Sequence, residues 1–188
     1  MELSEGLLSR RTIHKFTNEP VDKSVIEKAV HCAVHAPNHK MTEPWRFYAM
    51  TGETKEKLAK RRSELKVEKF LDKNSERAKQ AKEDAYQFMI DLPWVIAVTT
   101  HRYSVDPVRE KEDYAAVACA IQNFMLAAWE EGVGTKWATG QLVNDSIARE
   151  IVQPKEEEDI IGFLFLGYPK EVPKRIERHE TESVSWLE

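Results

Sequence analysis

The sequence has only two cysteines and lacks any apolar run long enough to cross a membrane. Cys32 and Cys119 cannot form a disulfide framework, and because both lie in apolar helical patterns we expect buried free thiols. No uninterrupted apolar stretch reaches the ~18 residues of a spanning helix. The start, MELSEGLLSRR, lacks the pattern of a signal peptide. We therefore expect a cytoplasmic protein without a membrane partner.

Excess positive charge is also lacking, because the formal net charge is −4. This value argues against a general nucleic-acid binder. The 188 residues are 41% hydrophobic and 32% charged, which is ordinary for a globular protein with a substantial core. No linker interrupts them, so we expect a single domain over residues 1–188, with 170–188 as a C-terminal extension.

Periodicity predicts an α+β fold with helices covering a central sheet. Strands are predicted at 45–51, 94–100 and 159–169, and GVGTKWATG at 132–140 is interpreted as a connection. The helix predicted over 110–131 is apolar nearly all round, so it should be central and buried on several sides. The other predicted helices cover 2–9, about Asp22 to His35, two segments of 53–90 divided near Lys73-Asn74, and 145–152. The charges of 53–90 are interpreted as a solvated face without a binding role.

Four segments are candidates for a site, and each has a purely structural alternative. RRT at 10–12 either supplies donors suited to a phosphate or contains two surface arginines that only favour the nearby helix C-terminus. His31, His35 and His39 could bind a metal, but Pro37 breaks the helix between them, which favours structural histidines. GVGTKWATG could be a ligand loop or a helix cap. VPKRIER at 172–178 is a basic segment, which either belongs to a site or is a solvated tail.

No motif indicates nucleophilic catalysis, since the sequence has no GxSxG, no Cys–His arrangement and no paired carboxylates. We therefore assign no catalytic residue and no metal ligand. If the protein is an enzyme, a cofactor should supply the chemistry while the protein positions it.

Taken in chain order, these segments resemble the nitroreductase family of FMN-dependent oxidoreductases, and most closely its short bacterial NAD(P)H nitroreductase branch. They are RRT, then APNHKMTEPWRF at 36–47, then a long apolar helix leading into GTKWATG, and finally GYP with a basic tail. The resemblance spans about residues 3–178. It implies an α+β fold with a mixed or antiparallel central sheet flanked by helices, a long buried central helix, and a homodimer with FMN at the subunit interface.

The resemblance also implies which residues contact the cofactor. Arg10, Arg11 and Thr12 would hold the phosphate and ribityl end; His35 and His39 would lie on the flavin from the other subunit's side; Trp137, Ala138 and Thr139 would line the isoalloxazine edge; and Lys174 or Arg175 would add a second basic contact to the phosphate. The extension at 170–188 would lie on the partner subunit. Three positions depart from the family pattern: Met41 replaces an asparagine, Glu43 a glutamine, and Ala138 an arginine found in some short members.

The implied activity is transfer of hydride from NAD(P)H, as NADH or NADPH, through FMN to a nitroaromatic, quinone or similar acceptor in a ping-pong cycle. A relative performing FMN-dependent dehalogenation or enoyl reduction is an alternative, with its specificity in 53–90. A non-catalytic flavin- or metal-binding protein, with the histidines as ligands, is another.

Overall fold

The computed structural model describes residues 2–102, 105–176, 178 and 183–187. Six helices and four strands are present in this part of the chain. They are α1 Leu3–Ser9, α2 Lys23–Ala33, β1 Arg46–Met50, α3 Gly52–Val67, α4 Glu76–Ile90, β2 Trp94–His101, α5 Pro107–Glu130, β3 Gly134–Ala138, α6 Ser146–Val152 and β4 Glu158–Gly167. The predicted α+β class and flanking helices are confirmed.

The four strands form one antiparallel sheet in the order β1-β2-β4-β3. The prediction of three strands was wrong, because GTKWA forms β3 and pairs with β4 from Gly134–Gly167 to Ala138–Phe163. Flanking glycines gave this segment the pattern of a connection, whereas its extended form depends on pairing with a distant apolar strand. The Cβ of an alanine at Gly134 would lie 2.5 Å from Ile13 Cγ1, so this position requires glycine.

Helices cover both faces of the sheet. On one face, α2 and α5 pack over a core that includes Ile96, Phe124 and Leu164. On the other face, α3, α4 and α6 enclose a second core that includes Leu58 and Phe163. The sheet therefore has two separate apolar layers, and successive side chains of each strand enter different ones.

Helix α5 is the central helix predicted from its apolar composition. Its start is fixed by the Asp106 carboxylate, which accepts a hydrogen bond from the Arg109 backbone N–H, and by Pro107 in the first turn. Nine of its residues are buried, including Phe124. The expectation of two buried thiols was wrong, because Cys119 lies exposed on the outward side of α5 and Cys32 is half-buried.

Helix α2 begins after Asp22, whose side chain accepts from the Ser24 N–H, and its last residue is Ala33. The prediction that it reaches His35 was two residues too long, and His35 lies in the turn that follows. Beyond it, Lys40, Met41 and Glu43 all have φ between 44° and 53°, a region that side chains other than glycine seldom adopt.

A buried carboxylate holds this unusual loop in place. Asp113 of α5 is fully buried, and its Oδ1 accepts a 2.8 Å hydrogen bond from Thr42 Oγ1. The bond joins the loop to the central helix and offsets part of the backbone strain.

Helix α3 is tied to α6 by an ion pair with two hydrogen bonds. Arg61 donates from Nε and Nη2 to the two carboxylate oxygens of Asp145 at 3.0 and 2.7 Å. Asp145 also accepts from the Ala148 N–H and so caps α6. One carboxylate therefore fixes the position of α3 and the start of α6.

Among the helices that the structure describes, none combines the length and apolar character required to cross a membrane.

Candidate functional site

The segment RRT lies in a basic cleft, which we call the arginine cleft. Its volume is about 460 Å³. Residues from α1, the segment after it, α5 and the C-terminal tail line this cleft: Leu7, Leu8, Arg10, Arg11, Thr12, His14, Gln122, Pro173, Lys174, Arg175, Ile176 and Arg178. Predicted contacts from both ends of the chain therefore lie in one cavity.

The two arginines of this motif differ in their partners. Arg11 Nη1 donates to the carbonyl oxygens of Leu8 and Arg10 at 2.8 and 2.7 Å, so this guanidinium closes the end of α1. Arg10 makes no side-chain hydrogen bond or ion pair with any other residue in the described ranges. Burial lowers the pKa of the Arg10 guanidinium, and the nearby charges of Arg11 and Arg178 lower it further. Arg10 is thus a half-buried cation that lacks a counter-ion among the described residues.

Thr12 connects the arginine cleft to β3. It forms a parallel bridge with Thr135, and the Ile13 N–H donates to the Thr135 carbonyl oxygen at 3.0 Å. The segment after α1 therefore runs along the edge of β3 that β4 does not occupy.

The residues of β3 point to opposite sides. Trp137 packs with the α2–α5 core, and the Cβ of an alanine at Gly162 would lie 2.1 Å from its Nε1. Ala138 packs with the α3–α4–α6 core, and Thr139 is exposed just beyond the strand. The three residues predicted to line one flavin edge thus have different surroundings, and their contact with a flavin remains a prediction.

A second basic cleft lies where α3 meets the end of β3, and we call it the lysine cleft. Its volume is about 190 Å³. Four cations, an apolar floor and the turn after β3 line it: Arg62, Leu65, Lys66, Lys69, Lys136, Ala138, Gly140, Gln141, Leu142, Phe163 and Phe165. Of these, only Ala138 is among the predicted site residues. The charges of 53–90 were interpreted as a solvated face, yet Arg62, Lys66 and Lys69 border a cavity.

The histidines lie on another surface. His31 and His35 are exposed, with ring centroids 5.1 Å apart, and both border an open apolar depression between α1, α2 and α5. His39 is exposed in the loop that follows. Neither His35 nor His39 lines the arginine or lysine cleft of its own chain. The described residues include no group of three potential metal ligands drawn from His, Cys, Asp and Glu.

Two of the three departures from the family pattern lie in the left-handed loop. Met41 is 74% exposed, and the Glu43 side chain is exposed while its backbone N–H donates to Asn38 Oδ1 at 3.0 Å. Neither side chain lines the arginine or lysine cleft. Their relation to a cofactor depends on what covers this loop.

The predicted tail contacts lie within reach of RRT. Both Lys174 and Arg175 line the arginine cleft. Part of the predicted extension, namely residues 177, 179–182 and 188, lies outside the described residues.

Sequence reasoning missed several residues that line these clefts. His14 and Gln122 line the arginine cleft, where Arg178, the last residue of the candidate segment 172–178, joins them. The cations at 62 and 66 of α3 and at 69, just beyond its end, follow the spacing of one helix face, which is a recognisable pattern. Lys136 carried no such indication, because its position depends on β3 forming a strand.

Comparisons with known proteins identify the family. Residues 7–168 match the model of the Nitroreductase family. The Bacillus subtilis protein "Putative NAD(P)H nitroreductase YfhC" is 31% identical over 92% of this chain and 87% of its own length. A nitroreductase-like family protein from Bacillus cereus is 30% identical with a TM-score of 0.84, covering 100% of this chain and 97% of that one.

A more distant structure has the same fold. The FMN and NADPH-dependent nitroreductase NfnB from Sphigopyxis sp. strain HMH is 16% identical, with a TM-score of 0.76 and 100% of both chains covered. Together with the family match, the antiparallel sheet and the buried α5, these findings lead to one conclusion: the chain belongs to the nitroreductase family.

Proposed function

We propose that this protein is an FMN-dependent NAD(P)H oxidoreductase that reduces a small acceptor such as a nitroaromatic or a quinone. The observation that carries the proposal is the arginine cleft, where RRT and the C-terminal tail bring cations together beside β3. Family membership and the FMN and NADPH dependence of NfnB support the choice of cofactor.

The residues of the arginine cleft fit the phosphate of FMN. Arg10 is half-buried and lacks a counter-ion among the described residues, and charge repulsion from Arg11 and Arg178 adds to the cost of its burial. A phosphate dianion would relieve both costs through charge-assisted hydrogen bonds. Arg11 would contribute mainly by holding the end of α1, while Lys174 or Arg175 would add charge from the tail.

The rest of the cofactor would follow β3. From Thr135, which is bridged to Thr12, to Ala138 the strand rises about 10 Å, which brings its end to the lysine cleft. The ring would lie near Ala138 and Thr139, where the turn after β3 presents backbone groups. When bound, FMN supplies the chemistry by accepting a hydride from NAD(P)H and passing electrons to the acceptor.

The chain's own residues bind and orient, and none is required as an acid or base. Arg10 would fix the phosphate, β3 would set the position of the ring edge, and Arg62 and Lys136 would place positive charge near it. Fixed positive charge beside the ring favours forms of the cofactor that carry negative charge.

We also propose that two copies of the chain form the complete site. Apolar side chains are exposed on α1 and on the outward face of α5, including Leu3 at 73% and Tyr114 at 46%. Such a surface marks a contact with another protein. Because His35 and His39 line neither cleft of their own chain, a partner copy would have to bring them to the flavin, with residues 170–188 lying across the interface.

The dimer can be tested directly. We expect a dimer in sedimentation velocity at micromolar concentration, and Cys119→Arg, on the outward face of α5, should shift it toward monomer. A wild-type protein that sediments as a monomer at this concentration would contradict the dimer. The cytoplasmic location expected from the sequence likewise remains a prediction.

The cofactor and activity are tested by purification and spectroscopy. We expect a yellow protein with an absorbance maximum near ~450 nm that is bleached by NADH or NADPH and restored by an acceptor. A colourless protein that takes up no FMN when it is supplied would overturn the proposal. A protein that retains FMN but is not bleached by either nucleotide would support the non-catalytic alternative instead.

A further inference from the structure

The lysine cleft collects positive charge that the fold does not neutralise. Arg62 and Lys136 are half-buried, Lys66 and Lys69 are exposed at its rim, and no carboxylate is among its described lining residues. A cavity lined in this way favours an anion.

The two deeper cations have different roles. Arg62 donates to the Ala85 carbonyl oxygen and lies 4.9 Å from the centre of the Phe88 ring, so its position is fixed by the fold. Lys136 makes no side-chain hydrogen bond or ion pair with another residue in the described part of the chain. Burial lowers the pKa of Lys136, and the charge of Arg62 lowers it further. The end of β3 therefore presents an unpaired charge.

The nearby acidic residues do not neutralise the positive charge at the rim of the cleft. Glu64 of α3 and Glu68, just beyond its end, lie 3.3 and 3.8 Å from Arg61 Nη1. Lys66 and Lys69 are left to face the cleft. Both of these carboxylates are thus paired with Arg61, and the described lining of the cleft carries cations without a carboxylate.

The floor of the cleft is apolar. Leu65, Leu142, Phe163 and Phe165 are all buried and line it. A floor of this kind beneath a cationic rim suits a molecule with a flat apolar body and one anionic group.

We propose that the electron acceptor is a small aromatic carboxylate, with Lys66 and Lys69 recognising its carboxylate group. This inference rests on the proposed function, because it requires the ring of FMN beside Ala138 at the edge of the same cleft. For a nitro-substituted aromatic carboxylate, two electrons and two protons convert the nitro group into a nitroso group and water. The hydride of NAD(P)H and one solvent proton supply them.

Equilibrium binding tests the recognition without turnover. Benzoate and benzamide have the same ring and differ in charge, and neither is reduced, so isothermal titration calorimetry on FMN-loaded protein reports recognition alone. We expect benzoate to bind at least ~10-fold more tightly than benzamide, the scale of one charge-assisted hydrogen bond. In the double variant Lys66→Gln/Lys69→Gln the preference should fall to about twofold or less.

A matched control removes the same net charge from the same region of the chain. Lys57 and Lys60 are exposed on α3 and line no part of the cleft, so Lys57→Gln/Lys60→Gln should keep the preference for benzoate. An equal loss of preference in both double variants would mean that only net charge matters, and would overturn the proposal.

Turnover gives a second measurement. The ratio of kcat/KM for 4-nitrobenzoate to that for 4-nitrobenzamide should exceed ~10 in the wild type and fall toward unity in Lys66→Gln/Lys69→Gln. A raised KM for NADPH with this ratio unchanged would assign the rim to the nucleotide and overturn the proposal. A protein that is bleached by NAD(P)H but shows no preference for benzoate would refute this inference alone, whereas failure to take up FMN would refute the proposed function.

Discussion

The arginine cleft and the lysine cleft are both basic, and both adjoin β3, but they are constructed differently. The cations of the arginine cleft come from the segment after α1 and from the C-terminal tail, outside regular elements. Those of the lysine cleft come from one face of α3, from the turn just beyond it and from β3. Cations that lie on connecting segments can be recognised in the sequence as short motifs. Cations that lie on helices and strands form a recognisable cluster only once the fold brings those elements together.

The largest expected effect separates the two arginines of the arginine cleft. Arg10→Ala should weaken FMN binding by about 1.5–3 kcal/mol, because it removes an unpaired cation from the proposed phosphate site. Arg11→Ala should cost less than ~1 kcal/mol in FMN binding, since this guanidinium is already bonded to the carbonyls of Leu8 and Arg10. Titration of apoprotein with FMN, followed by flavin fluorescence, measures both. Equal losses would show that the two residues serve the same ligand.

The second prediction tests whether the lysine cleft depends on how α3 is held. Asp145→Asn keeps an N-cap for α6 but loses the ion pair with Arg61, so the free energy of unfolding at neutral pH should fall by about 1.5–3 kcal/mol. The hydrogen bonds from Arg61 lower the pKa of Asp145 below its usual range. The ion pair therefore stabilises the fold above about pH 4 and is lost as the pH falls further.

Urea denaturation at several pH values measures this effect. The difference between Asp145→Asn and the wild type should vanish in strong acid. Asp22→Asn is the matched control, because Asp22 caps α2 without an arginine partner. FMN binding in the arginine cleft should be affected less than benzoate binding in the lysine cleft, and the reverse order would contradict the separation of the two sites.

The third prediction concerns the packing of Trp137, on β3, against the neighbouring strand β4. Gly162→Ala would place a Cβ 2.1 Å from Trp137 Nε1, and moving a packed indole should lower the free energy of unfolding by about 1–3 kcal/mol. Gly140→Ala is the control, since no atom lies within 4 Å of a Cβ added there and its φ is −79°. Thermal unfolding of both variants gives the comparison, and similar melting temperatures would contradict the packing of Trp137 on β4.

The smallest effect concerns the unpaired charge of the lysine cleft. Because burial and Arg62 lower the pKa of Lys136, its charged form is disfavoured in the folded state. The unfolded chain therefore binds more protons at this side chain than the folded chain does. The free energy of unfolding should consequently rise with pH up to about 10.4, the ordinary pKa of lysine. Lys136→Gln should raise the stability of the ligand-free protein at neutral pH by less than ~1 kcal/mol and remove that dependence. Lower stability in this variant would indicate a partner for Lys136.

Much of the fold could be predicted from the sequence, because α5, β2 and β4 carry their own strong apolar patterns. The strand β3 could not, since Trp137 and its neighbours are extended only through pairing with β4. Arg10 and Arg175 could be anticipated from motifs at the two ends of the chain. The helical spacing of Arg62 and Lys66 was recognisable, but whether their face meets water or a cavity depends on a strand far away in the sequence.

The ion pair between Arg61 and Asp145 has a consequence for how substrate preference can change. It fixes α3 against α6, so the cationic rim stands on a braced helix. Exchanging the side chains at 66 and 69 would then alter the preferred charge of the acceptor while the backbone stays in place. Under the recognition proposed above, 66 and 69 are two exposed positions where single substitutions would change acceptor preference without removing a buried side chain.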